Sequence, residues 1–188
     1  MKHSFLSMLE EHPIIASVKD ERMLDDAIQS PSQIIFLLGG NLMNLRHIVD
    51  TVQQANKLIF LHFDLINGLA RDATALNYIA QQVSPDGIIT TRTNIIVESK
   101  KLNLYAIQRI FLLDSLAYEN SMAAIQSSKP NAIEVIPGIM PKVIQRINQS
   151  SKVPLIAGGL ILDKEDVLQA LNAGARGISS SNSTIWDM

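Results

Sequence analysis

Val153-Pro154-Leu155-Ile156-Ala157-Gly158-Gly159-Leu160 is a short apolar run that ends in a glycine pair. Farther on, Gly174-Ala175-Arg176-Gly177-Ile178-Ser179-Ser180-Ser181-Asn182 repeats the pattern with serines at its end. Between them, Asp163-Lys164-Glu165-Asp166-Val167-Leu168-Gln169-Ala170-Leu171 reads as a helix with an acidic first turn. Each run is a strand whose end carries small residues, so a ligand can come close to backbone N–H groups there. Two consecutive strand ends of this kind, late in an alternating β/α chain, are how many (β/α)8 barrels bind a phosphate. A lone glycine pair would mark only a tight turn. The repetition of strand, small-residue end and helix is what points to a barrel.

The same unit extends upstream. Continuous apolar runs, the mark of strands buried on both faces, cover 13–19, 34–38, 58–64, 87–92, 107–114 and 132–137. With 155–158 and 177–180 they make eight strands. Helical periodicity separates them. Leu45, Ile48, Val49 and Val52 share a face, as do Leu76, Ile79, Ala80 and Val83; Val143, Ile144 and Ile147; and Val167, Leu168 and Leu171. Asp72, Asp114-Ser115, Pro141 and Asp163 with Asp166 stand where helices should start. An open dinucleotide-binding sheet would need a glycine-rich turn after its first strand, and Lys19-Asp20-Glu21-Arg22 stands there instead. The expected fold is therefore α/β: a compact (β/α)8 TIM-type barrel spanning 1–188 as one domain. At roughly 23 residues per unit its loops must be short, since such barrels typically need about 250 residues.

Composition narrows the class. Hydrophobic residues make up 47% and charged residues 18%, a globular balance rather than a disordered one. No apolar run reaches membrane-span length. Met1-Lys2-His3-Ser4-Phe5-Leu6 leads straight into Glu10-Glu11 without a signal-peptide core, so a cytoplasmic location is expected. The chain has no cysteine, which removes disulfides and thiol catalysis, and its 4 histidines show no metal-ligand spacing. Neither a metal nor another cofactor is expected. The net charge of −2 hides an asymmetry: residues 92–152 hold 8 basic and 4 acidic side chains. That segment could face an anionic polymer, or be an ordinary set of solvated helix surfaces.

In a barrel, binding groups collect at the C-terminal strand ends. Those ends offer Lys19, Gly39-Gly40, His62 with Asp64, Thr91-Arg92, Asp114, Glu134, Gly158-Gly159 and Ser180-Ser181. Strand parity puts Ile15, Ser17 and Lys19 on one face, and His62 with Asp64 on another. Lys19 can hold an anion, act as an amine nucleophile, or simply pair with Asp20 or Glu21. Asp64 can accept from a hydroxyl or cap a turn. Glu134, within Ala132-Ile133-Glu134-Val135-Ile136, needs a partner in so apolar a strand. That partner is a ligand hydroxyl, or Lys19 or Arg109 as structural glue. His62 reads as a core histidine, and Trp186 as an apolar plug under the last turn.

These segments together resemble one family, the glycerol-3-phosphate-responsive antiterminators. The distinctive stretches are His62-Phe63-Asp64-Leu65-Ile66-Asn67-Gly68-Leu69 and Glu134-Val135-Ile136-Pro137-Gly138-Ile139-Met140-Pro141-Lys142. Ser17-Val18-Lys19, 86–92, 107–115, Ala157-Gly158-Gly159-Leu160 and Ser179-Ser180-Ser181-Asn182 extend the likeness over most of the chain. Thr90-Thr91 stands where the family pattern has Ser-Thr. The resemblance implies a regulator that senses glycerol 3-phosphate and prevents early termination on the leader mRNA of glycerol-uptake genes. Lys19, Asp64, Glu134, Gly158, Gly159, Ser180 and Ser181 would bind the effector. No RNP motif, arginine-rich tract or stacking platform is visible, with aromatics at 5%. Lys100, Lys101, Lys142 and Arg146 are the expected RNA contacts, and a homo-oligomer is left open. The competing class is a barrel aldolase, isomerase or lyase for a small phosphorylated metabolite, with Lys19, Asp64 and Glu134 as its reactive groups.

Overall fold

The computed structural model describes residues 5–188; Met1 to Ser4, where the reading of the N-terminus begins, lie outside the described residues. A short helix, α1 (Phe5–Glu11), precedes the repeating units. They run β1 (Ile14–Val18), α2 (Leu24–Gln29), β2 (Ile34–Leu37), α3 (Leu45–Gln54), β3 (Leu58–His62) and α4 (Ala73–Tyr78), the last continued by a π turn to Val83. Then come β4 (Gly87–Thr90), α5 (Thr93–Lys101), β5 (Tyr105–Phe111), α6 (Ser115–Ser128), β6 (Ala132–Ile136), α7 (Pro141–Ser150) and β7 (Leu155–Gly158). The chain ends with α8 (Lys164–Asn172), β8 (Gly177–Ser180) and α9 (Ser183–Trp186). All eight strands are parallel, and β8 pairs with β1 to close the barrel.

Alternation along each strand sorts its side chains into two cores. Ile15, Ile34, Phe36, Phe60, Ile89, Ile107 and Ile156 fill the barrel interior. Ile14, Ala16, Ile35, Leu61, Val135 and Ile178 face outward under the helices. Parallel strands covered on both faces need both sets apolar, which is why the sequence shows runs rather than alternation. The N-terminal end of the barrel is plugged by α1. Its Phe5 and Leu9, one helical turn apart, enter the interior core, with the Phe5 ring 4.6 Å from Tyr105 and 5.0 Å from Phe60. That helix is absent from the sequence reading, because its apolar residues Phe5, Leu6, Met8 and Leu9 span little more than one turn and show no sustained periodicity.

The helix starts fall where expected. Asp72, Asp114 and Asp163 accept from the N–H groups of Ala75, Ala117 and Asp166 at 2.8, 2.7 and 3.0 Å. Asp166 answers by accepting from the N–H of Leu162 at 2.9 Å, closing a reciprocal cap. The strands are shorter than the apolar runs. Lys19, Leu38, Asp64, Thr91, Arg92, Leu112 and Pro137 all leave the ladder. Only β5 begins earlier, at Tyr105. Apolar loop residues such as Leu112, 8% exposed, stay buried beyond their strand and so extend the run without extending the strand. Lys57, 6% exposed, donates to the carbonyls of Ala27, Ser30 and Ser32 at 3.0, 2.6 and 2.7 Å, closing off the C-terminal end of α2. Among the described residues, no helix is long and apolar enough to cross a membrane.

Candidate ligand-binding site

The C-terminal strand ends open into a pocket of about 330 Å³, bounded by the segments after β1, β2, β7 and β8 and by the end of β6. Its floor is polar. Arg109 on β5 and Glu134 on β6 are register partners, and both point inward. Arg109 Nε donates to Glu134 Oε2 at 2.6 Å, and Ser179 Oγ on β8 donates to Oε1 at 2.7 Å. Glu134 is 1% exposed, so these donors offset the loss of its hydration. Gly158, on the intervening strand, leaves the room this arrangement needs. A Cβ there would lie 2.9 Å from Glu134 Oε1 and would also collide with Ser179 Oγ.

The rim is built from backbone. Gly159 has φ +72, a left-handed conformation that side chains disfavour, and a Cβ there would meet Ile136 Cγ2 at 3.0 Å. Gly138 braces this turn. Its N–H donates to the Gly159 carbonyl at 3.0 Å, and a Cβ there would press on the Gly158 N at 2.7 Å. The N–H groups of Gly159, Leu160 and Ser181 have no acceptor among the described residues. Lys19 lies on the same rim, with no ion-pair partner among the described residues, because Asp20 pairs with Arg22 at 2.6 Å. Open N–H donors beside a lysine suit an anion such as a phosphate.

The structure therefore brings together Lys19, Glu134, Gly159, Ser180 and Ser181 around the pocket, with Gly158 directly behind Glu134. Ser180 is placed differently from the reading of its hydroxyl as a ligand donor. It faces outward, donates to the Ile161 carbonyl at 3.1 Å and accepts from the N–H of Asn182 at 3.2 Å. The inward hydroxyl belongs to Ser179, one residue back, where parity with Gly177 places it. Asp64 stands outside the pocket lining. Its carboxylate is used by the end of β4, accepting from Thr90 Oγ1 at 3.0 Å, Thr91 N–H at 2.8 Å and Arg92 Nε at 3.2 Å. Trp186 is buried as read, and its indole N–H donates to the Ser180 carbonyl at 2.7 Å.

The four basic residues do not form one face. Lys100 and Lys101 end α5, at the barrel's N-terminal end, where Lys100 donates to the Lys129 carbonyl at 2.7 Å. Lys142 opens α7 at the mouth end, and Arg146 stacks over the Tyr118 ring at 5.8 Å.

His62, also inward on β3, is 3% exposed, and its Nδ1 has no hydrogen-bond partner among the described residues. Burial, followed by the nearby Arg109 guanidinium, pushes its pKa down to about 4, against the opposing pull of Glu134 and Asp64. Between pH 6.5 and about 4 the unfolded chain takes up a proton that the folded protein refuses, so stability is full above 6.5 and falls with acidification through that window. We expect a loss of about 3 kcal/mol across it from this histidine. Urea unfolding at stepped pH should show the loss in the parent and a shallower slope in His62→Asn. Equal slopes would place the acid sensitivity elsewhere.

Comparison with known proteins agrees with this architecture. Residues 14–186 match the family model described as glycerol-3-phosphate responsive antiterminator. The crystal structure of the glycerol uptake operon antiterminator regulatory protein from Listeria monocytogenes is 34% identical, with a TM-score of 0.93, covering 100% of this chain and 99% of that one. A glycerol uptake operon antiterminator-related protein from Thermotoga maritima is 29% identical, with a TM-score of 0.84, covering 94% of this chain and 99% of that one. The uncharacterized protein YgcP of Escherichia coli is 35% identical over 183 residues, 97% of this chain and 96% of its own. Barrel aldolases at 11% and 10% identity share the fold alone. With the family model matched from the first barrel strand to the last helix, this chain belongs to the glycerol-3-phosphate responsive antiterminator family.

Proposed function

We propose that this protein senses glycerol 3-phosphate in the mouth pocket and, as an antiterminator, acts on the leader mRNA of glycerol-uptake genes without turning the ligand over. The observation that carries the reading is the pairing of an anion-ready rim with an acceptor-bearing floor in one pocket. Gly159, Leu160 and Ser181 N–H groups with Lys19 suit the phosphate. Glu134 keeps lone pairs for the ligand's hydroxyls after accepting from Arg109 and Ser179. The same two donors argue against catalysis. Arg109 and Ser179 each donate to one of the Glu134 oxygens, at 2.6 and 2.7 Å, which suits a fixed hydrogen-bond acceptor better than a group that must move protons. Lys19 is exposed at the rim rather than desolvated beside a carbonyl site, which does not favour a Schiff base. Incubation with glycerol 3-phosphate tests this half directly: the ligand should raise the melting temperature and be recovered unchanged. Turnover of the ligand would favour a barrel enzyme.

For RNA, changing Lys100, Lys101, Lys142 and Arg146 to Glu together is expected to weaken leader binding by about tenfold or more and to flatten its salt dependence. Ligand affinity should be kept. Separate reversal of the α5 pair and the α7 pair then tells which end of the barrel meets the transcript. Unchanged RNA affinity in the quadruple variant would make all four ordinary solvated charges.

A further inference from the structure

The terminal guanidinium nitrogens of Arg109 and the hydroxyl of Ser17, both at the pocket floor, take no part in holding Glu134. Arg109, 7% exposed, uses its Nε on Glu134, while its two terminal nitrogens have no acceptor among the described residues. Ser17, 3% exposed, lines the same wall, and its hydroxyl likewise has no partner among the described residues. Neither group is sealed away: among the described residues, the buried side-chain polar atom closed off without a partner is His62 Nδ1. The free donors of Arg109 and Ser17 are therefore open to the pocket. Donors open to the pocket can pair with a ligand that enters it, and a ligand whose acceptors match them binds better than one whose acceptors do not.

The chemistry of the pair selects the ligand group. Glu134 offers only acceptors and the Arg109 terminus only donors. A carbinol satisfies both, its O–H donating to the carboxylate while its lone pairs accept from the guanidinium. A keto oxygen accepts but donates nothing, so it leaves the carboxylate's free lone pairs unused. A carboxylate in that place would meet Glu134 as a like charge.

We infer that Arg109, with Glu134 and Ser17, forms a hydroxyl-reading subsite that makes the pocket select a phosphorylated polyol over the corresponding keto phosphate. The inference rests on the glycerol 3-phosphate reading and adds Arg109 and Ser17 as specificity-determining residues. The phosphate stays at the rim, and the carbon chain descends toward β5 and β6.

Titration calorimetry of the full chain with glycerol 3-phosphate, dihydroxyacetone phosphate and inorganic phosphate tests it. The parent should prefer the polyol over the ketone by about tenfold or more, as expected for one charge-assisted hydrogen bond. Arg109→Lys keeps a charge beside Glu134 but loses the fork that holds the ligand oxygen against the carboxylate, so that preference should shrink to within about threefold while inorganic phosphate binds as in the parent. Ser17→Ala leaves the ion pair intact and should weaken glycerol 3-phosphate by about three- to tenfold without touching inorganic phosphate. If Arg109→Lys does not fold, Ser17→Ala and the parent's own preference decide. A parent that binds glycerol 3-phosphate and dihydroxyacetone phosphate equally, or variants that bind all three compounds like the parent, would overturn the subsite and leave the sensor reading standing. A parent that binds neither glycerol 3-phosphate nor phosphate would overturn both.

Discussion

Glu134→Ala should lose about 3–5 kcal/mol of unfolding free energy together with ligand binding, the expected consequence of stranding the buried Arg109 charge. The carboxylate is 1% exposed and stands between Arg109 and Ser179 at 2.6 and 2.7 Å, so its removal leaves both donors facing a void. Urea unfolding at pH 7 measures the effect. A loss below about 1 kcal/mol would mean that water reaches the barrel floor freely and that the ion pair behaves as a surface one. Glu134→Gln separates structure from recognition. It retains the shape and an acceptor for Ser179 but not the charge. Glycerol 3-phosphate affinity should fall by about ten- to a hundred-fold, since a hydrogen bond to a charged group contributes about 1.5–3 kcal/mol. Inorganic phosphate, which has no hydroxymethyl groups, should be much less affected. Equal losses for both would make Glu134 a structural residue only.

Gly159→Val, unlike Glu134→Gln, should remove the affinity for inorganic phosphate along with that for glycerol 3-phosphate. The left-handed φ of +72 is strained for a branched residue, and the new Cβ would crowd Ile136 at 3.0 Å. The side chain would also stand over the N–H groups that an anion must approach. Loss of two such contacts corresponds to about a hundredfold in affinity or more, and the strain to about 1–3 kcal/mol of stability. Calorimetry with both compounds, and circular dichroism to confirm the fold, checks this. Parental phosphate affinity in Gly159→Val would move the anion site off this turn.

The barrel was legible because its signal is repeated: eight apolar runs separated by amphipathic segments leave little else to build. The cap aspartates were legible for a local reason, since each accepts from an N–H three residues on, and Pro141 because its fixed φ and missing N–H suit the first helical position. The site was legible only as far as strand parity could be carried. Ser17, Glu134 and Gly159 lie on or next to strands whose inward face the sequence shows. At Ser179-Ser180-Ser181 three identical residues carry no parity mark, and the hydroxyl that reaches Glu134 is the one before the expected choice. Asp64 fell outside the pocket because the chain turns out of the ladder at Phe63, and its carboxylate then meets the β4 end, a contact across 26 residues that spacing cannot show. The basic residues were grouped by position along the chain. Helix direction in the barrel sends Lys101 and Lys142 to opposite ends.

The most direct test of the account is the affinity of the leader transcript for the purified protein, measured by gel shift or fluorescence anisotropy with and without saturating glycerol 3-phosphate. Coupling between the effector site and the RNA surface predicts specific binding whose dissociation constant differs by about fivefold or more between the two conditions. In the Glu134→Gln variant that difference should reappear only at higher ligand concentrations. Leader binding that is absent in both conditions, or identical in both while the ligand demonstrably occupies the pocket, would contradict it.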